Sequence, residues 1–124
     1  MSSQTSASIS ERVADAELGP FPIPAGSVIS GDPVATAKLL WVSADGTLCN
    51  GIWECTPGEF TWTHANETAT VVSGRAIVTP EGGEPMTLEP GVVAFWPEGT
   101  TTHWQVEQTI RKAFHLHAAG GLGL

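Results

Sequence analysis

Basic side chains are scarce in this sequence of 124 residues: five lysines and arginines stand against thirteen aspartates and glutamates, a formal charge of −8. That deficit argues against a nucleic-acid backbone or an anionic membrane surface as partner, because both require clustered lysine and arginine. No apolar run approaches the ~20 residues that would span a bilayer. The opening Met1-Ser2-Ser3-Gln4-Thr5 has neither the basic patch nor the apolar stretch of a secretory signal. A cytoplasmic protein with no membrane partner is therefore expected. Cysteine is sparse as well. Cys49 and Cys55 fit no zinc spacing and no C-x-x-C pair, so they read as ordinary thiols. A chain of this size buries about two-thirds of its unfolded surface and needs no disulfide to hold a core. Ser-His-Asp order, a nucleotide-binding glycine loop and a P-loop are also missing, which argues against flavin, nicotinamide and ATP chemistry.

Helix-favouring stretches are nearly absent too. The one candidate, Ser10 to Leu18, has Ser10 as a possible cap. What the sequence does contain is punctuation: fourteen glycines and nine prolines, separating short runs of Val, Thr, Trp, Phe and Ile. Such runs suit a pleated, half-buried surface. Strands are predicted near Ala37–Val42, Leu48–Cys55, Phe60–Thr63, Thr68–Ser73, Arg75–Thr79, Met86–Leu88, Val92–Trp96, Thr102–Glu107 and Ile110–His117. Nine short strands with turn signals between them imply an all-β sandwich or barrel. Asp45-Gly46 is a hairpin dipeptide. Gly82-Gly83 tolerates positive φ and joins Arg75–Thr79 to Met86–Leu88 as a hairpin. Val92–Trp96, bracketed by Pro90-Gly91 and Pro97-Glu98-Gly99, reads as a buried strand rather than an edge.

Residues 1–35 form a non-regular arm, 36–118 the barrel and 119–124 a glycine-rich tail that frays. Each proline of Pro20-Phe21-Pro22-Ile23-Pro24 holds its predecessor extended. Phe21 and Ile23 anchor the arm on the barrel or a partner subunit if it is not a loose tail.

Two patterns carry a resemblance. Gly58…Glu67-x6-Gly74 followed by Gly91-x5-Pro97-x-Gly99 resembles the two sequence motifs of the cupin superfamily. Gly-Ile-Trp-Glu-Cys-Thr-Pro-Gly (51–58), Phe60-Thr-Trp62, Asn66-Glu67-Thr68 and Arg111-Lys112 are similar, more narrowly, to small cupins of the ureidoglycine-aminohydrolase and ethanolamine-utilisation type. The resemblance covers Leu39 to Leu116 and implies a double-stranded β-helix, a jelly-roll barrel, here with an extended N-terminal arm. It also implies pairing into a homodimer through outer sheet edges, which would cover an otherwise open edge.

Metal-binding cupins place two histidines and a glutamate in the first motif and a third histidine in the second. Counting back from Gly74, Glu67 takes the glutamate slot and the histidine slots fall on Thr61 and Thr63, or on Phe60 and Trp62. Counting forward from Gly58, His64 and Asn66 take them. The second-motif slot is Thr102. Strand alternation puts Thr102, Trp104 and Val106 on one face and His103 and Gln105 on the other, and burying the Trp104 indole favours the first face as the inner one. The standard metal site is dismantled, and the expected cofactor is none. A non-standard site using His64 and Glu67, with His103 or one of His115 and His117 as third ligand, stays open as an alternative.

Glu67 is the principal candidate. Projecting into an apolar lumen, it reads as a general acid or base whose pKa burial raises, or as a structural carboxylate satisfied by hydroxyls. Thr61, Thr63 and Thr102 are its candidate donors, and Trp62 and Trp104 the walls of a pocket for a small polar metabolite. His64 reads as a partly exposed loop histidine, and Arg75, Arg111 and Lys112 as surface ion-pair partners. The function expected is that of a cupin that binds, and in one reading converts, such a metabolite without the standard metal. A non-catalytic small-ligand or protein-binding module is the alternative.

Overall fold

A computed structural model describes residues 7–124; the arm's first six residues lie outside it. Among the described residues the chain forms nine strands and a single 3₁₀ turn at Ala25–Ser27, so the all-β expectation holds. The strands are β1 (Gly19–Pro20), β2 (Val28–Gly31), β3 (Ala35–Val42), β4 (Leu48–Cys55), β5 (Gly58–Thr63), β6 (Asn66–Pro80), β7 (Met86–Leu88), β8 (Val93–Trp96) and β9 (Thr101–His117).

Two long strands organise the sheet. β9 pairs along one side with β5 through its first half and with β4 through its second, and along the other side with β6. β6 in turn carries β8 on its first half and β7 on its second. The antiparallel sheet therefore curls around a lumen. Alternation along each strand puts Trp53 and Cys55, Phe60, Ala69 and Val71, Trp96, Trp104 and Val106, and Ile110 inside, where all are buried.

Several elements differ from expectation. Thr68–Ser73 and Arg75–Thr79 are one continuous strand, because Gly74 (φ 85°) bulges the ladder without ending it. Thr102–Glu107 and Ile110–His117 are likewise one strand, with no glycine or proline between them. The candidate helix is only a turn at residues 13–15. β8 pairs with β6 alone, so it is an edge, and Val93 and Phe95 on its outer face are exposed.

The arm is woven into the sheet rather than irregular: β1 pairs with β3 and β2 with β5. Lys38 bonds Glu11, and Arg111 Nη1 donates to the carbonyls of Val13 and Ala16 at 2.6 and 3.1 Å. Ile52, on the outer face of β4, is buried at 1 % exposure. Phe21 meets Trp62 with ring centroids 6.0 Å apart, and Ile23 packs on the core. At the other end the Ala118 and Leu122 amides donate to Thr47 O and Gly46 O at 2.9 Å, so part of the tail is tied to the β3–β4 turn.

A buried ion pair at the candidate functional site

Glu67 enters from β6 beside Trp96 of β8 and Leu116 of β9, its register partners. It is 3 % exposed. Its Oε2 accepts a hydrogen bond from Lys112 Nζ at 2.6 Å, and its Oε1 lies 2.9 Å from His64 Nδ1. His64 Nε2 lies 2.8 Å from Thr102 Oγ1, which also accepts the Trp104 indole N–H at 2.9 Å. One buried chain of contacts thus runs Lys112–Glu67–His64–Thr102–Trp104, and His64, Glu67, Thr102 and Lys112 are each at most 5 % exposed.

The proton positions follow from the donor inventory. Burial pushes the Glu67 carboxyl up, but the Lys112 charge and the His64 hydrogen bond more than offset it and hold the pKa at about 2. A carboxylate only accepts, so His64 Nδ1 carries the proton toward Glu67. Nε2 is then free to accept the Thr102 hydroxyl proton. This reverses the expectation of a raised Glu67 pKa, because Lys112, expected at the surface, stands in the lumen. A group ionised down to this pH cannot serve as a general acid near neutrality.

Aromatic rings close the site. Lys112 Nζ sits 4.6, 4.9 and 5.6 Å from the ring centroids of Trp53, Trp104 and Trp96. Trp53 is its register partner across the β4–β9 ladder. Trp96 also stacks on His64, centroids 4.5 Å apart. Among the described residues, the Trp96 indole N–H is the one buried side-chain polar group with no partner.

Thr102 and Trp104 therefore join the network, and Trp62 flanks it, its carbonyl 3.4 Å from Thr102 Oγ1. Thr61 and Thr63 do not. They lie on the opposite face of β5 from Phe60 and His64, and Thr63 Oγ1 bonds Thr101 Oγ1 at 3.0 Å. With Pro24, Ser27 and Trp62 they line a shallow pocket of about 270 Å³ under the arm. His64 is buried rather than partly exposed, and Lys112 is an interior rather than a surface ion-pair partner. Both were legible as period-two patterns. His64 continues the inner face of Phe60 and Trp62, and Lys112 shares one face of its strand with Ile110, Phe114 and Leu116.

The residues present do not fit a divalent metal. Among the described residues no three of its usual donors converge; His64 and Glu67 meet, and each His64 nitrogen is already hydrogen-bonded within the network. The place beside Glu67 that a cation would take holds the Lys112 ammonium. His103 faces outward onto Glu59 at 2.9 Å, and His115 and His117 are exposed, so none supplies a third ligand.

Comparison with known proteins agrees with this architecture. The family model for the EutQ-like cupin domain matches residues 42–114. A solved protein of unknown function from Pseudomonas syringae pv. tomato, of the DUF861 family, is 27 % identical with a TM-score of 0.73 over 82 % of this chain. The match spans only 44 % of that protein's length. A protein described as ethanolamine utilization protein Q from Salmonella typhimurium is 25 % identical with a TM-score of 0.60, covering 69 % of this chain and 71 % of its own. A DUF861 protein from Thermotoga maritima is 35 % identical with a TM-score of 0.50, covering 52 % of this chain and 75 % of its own. No match was found among curated proteins.

Proposed function

Because the chain belongs to the EutQ-like cupin domain family, we propose that it binds a small polar metabolite at the barrel's interior network and does so without a metal ion. The carrying observation is the His64 bridge, which ties ionised Glu67 to the Thr102 hydroxyl. That bridge is a pre-aligned hydrogen-bonding centre of the kind that fixes the orientation of a small ligand against apolar walls. The partnerless Trp96 N–H supports the reading, since a buried donor costs stability until an acceptor reaches it. Binding rather than acid catalysis is favoured, since Glu67 holds no proton to give.

The same proposal places the protein in the cytoplasm as a homodimer. Two free, buried thiols, Cys49 and Cys55, suit a reducing compartment. Exposed Val93 and Phe95, with Val72 beside them on the outer sheet face, suit a subunit contact.

The test is a thermal-shift screen with small carboxylates, amines and ureides, followed by Thr102→Val. At least one compound should stabilise the wild-type protein saturably, and the hydroxyl deletion should weaken that effect at least tenfold in concentration. No stabilising compound, or an effect unchanged in Thr102→Val, would overturn the reading. A second reading, a network that only locks the barrel, draws on the burial of all four polar residues; it expects Thr102→Val to lower stability with no ligand found.

A further inference from the structure

The surroundings of Lys112 are unusual for a lysine. Its ammonium is 6 % exposed at the side chain, pairs with a carboxylate at 2.6 Å, and lies within 6 Å of three indole centroids. Indole faces attract cations through their quadrupole, and the attraction strengthens when water is excluded. Rings offer no lone pairs to a divalent ion, which needs three or four nitrogen, oxygen or sulfur ligands. Three rings and one carboxylate instead match the chemistry that recognises an organic ammonium.

We infer that the lumen of this barrel is a seat for an organic ammonium ion, and that Lys112 is its tethered occupant. The seat is built by three separate elements besides the lysine's own strand. Trp53 comes from β4, Glu67 from β6 and Trp96 from β8, while Trp104 lies on β9 with Lys112. Every group facing the ammonium is therefore fixed by the sheet rather than by the lysine. An empty seat should keep its shape and its preference. This inference stands apart from the metabolite proposed above, since it concerns the occupant that the chain itself supplies.

Lys112→Ala removes three methylenes and the ammonium, the equivalent of n-propylammonium. In the purified variant, n-propylammonium chloride should raise Tm by several degrees, saturably, relative to equal concentrations of sodium chloride. Lys112→Met, which fills the same volume, should show no such rise. Zinc and nickel should bind neither variant near stoichiometrically by calorimetry. A folded Lys112→Ala protein indifferent to n-propylammonium would overturn the inference, and so would stoichiometric zinc or nickel binding in its place. Should Lys112→Ala fold only when refolded with n-propylammonium, the inference is supported. Should it fold under neither condition, NMR of the wild-type protein decides. Lys112 ε-methylene protons shifted upfield by the three rings support the seat, and ordinary lysine shifts overturn it.

Discussion

At the scale of the residue, Glu67 shows how two partners invert a carboxyl's behaviour. Burial alone favours the neutral acid, and an isolated buried carboxyl would titrate high. Lys112 at 2.6 Å and His64 at 2.9 Å together outweigh that penalty, and the folded pKa falls to about 2 from the ordinary 4.5. The folded value lies below the unfolded one, so the stabilisation is complete above about pH 4.5 and is lost as pH falls toward 2. A shift from 4.5 to about 2 corresponds to on the order of 3 kcal/mol. Asp45 also titrates near 2, held down by hydrogen bonds from Thr47 and Ser43. The Glu67 share is therefore the difference between the wild-type protein and Glu67→Gln in urea unfolding followed from pH 7 to pH 2. At pH 7 the variant should lose about 3–5 kcal/mol, since removing one partner leaves the other charge buried alone. The gap should start to close below about pH 4.5 and be nearly gone by about pH 2. An unchanged gap across that range would show that Glu67 is not ionised in the fold.

At the scale of the element, the two long strands depend on one glycine. Gly74 has φ 85°, and a Cβ there would lie 2.0 Å from Thr109 O, a backbone atom that cannot step aside. Gly46, in the β3–β4 hairpin, has φ 71° with open space around it. Gly46→Ala should therefore cost only the left-handed strain, about 1–2 kcal/mol. Gly74→Ala should cost more than that and broaden amide signals along both β6 and β9. Equal losses by chemical denaturation would show that the bulge yields easily. The sequence marks Gly74 as a break between strands, because glycine signals only that the backbone turns. Whether the chain turns back or bulges is set by the partner strand, here β9, which continues unbroken past it.

At the scale of the whole molecule, the outer face of β8 is the feature left unexplained by a lone barrel. Val93 and Phe95 are 63 % and 56 % exposed. Alternation already predicts that residues 93 and 95 face away from Ala94 and Trp96, but the bracketing turns give the impression of a strand covered on both sides. Only the sheet order shows that β8 has a single neighbour. Sedimentation should give a species of twice the chain's mass, and Phe95→Glu should convert it to one chain without unfolding it. A wild-type protein that sediments as one chain would remove this face as a subunit contact.

The sequence by itself determined the all-β class, the cupin-like order of its strands, and the inward placement of Glu67, Thr102 and Trp104. The class and the inward side of Thr102 and Trp104 follow from the period of two along a strand and the apolar content of one face, which are local quantities. The strand order and the place of Glu67 are instead what the resemblance of Glu67-x6-Gly74 and Gly91-x5-Pro97-x-Gly99 to the cupin motifs implies. Tertiary structure alone decided that Lys112 meets Glu67, 45 positions away, that His64 bridges Glu67 to Thr102, and that Thr61 and Thr63 stand apart. Those pairings depend on which strands become neighbours as the sheet curls. Charge is also read differently at the two levels. A lysine in a polar-looking sequence defaults to solvent, and only the carboxylate and two indoles gathered from other strands, with Trp104 of its own strand, make the interior its lower-energy place.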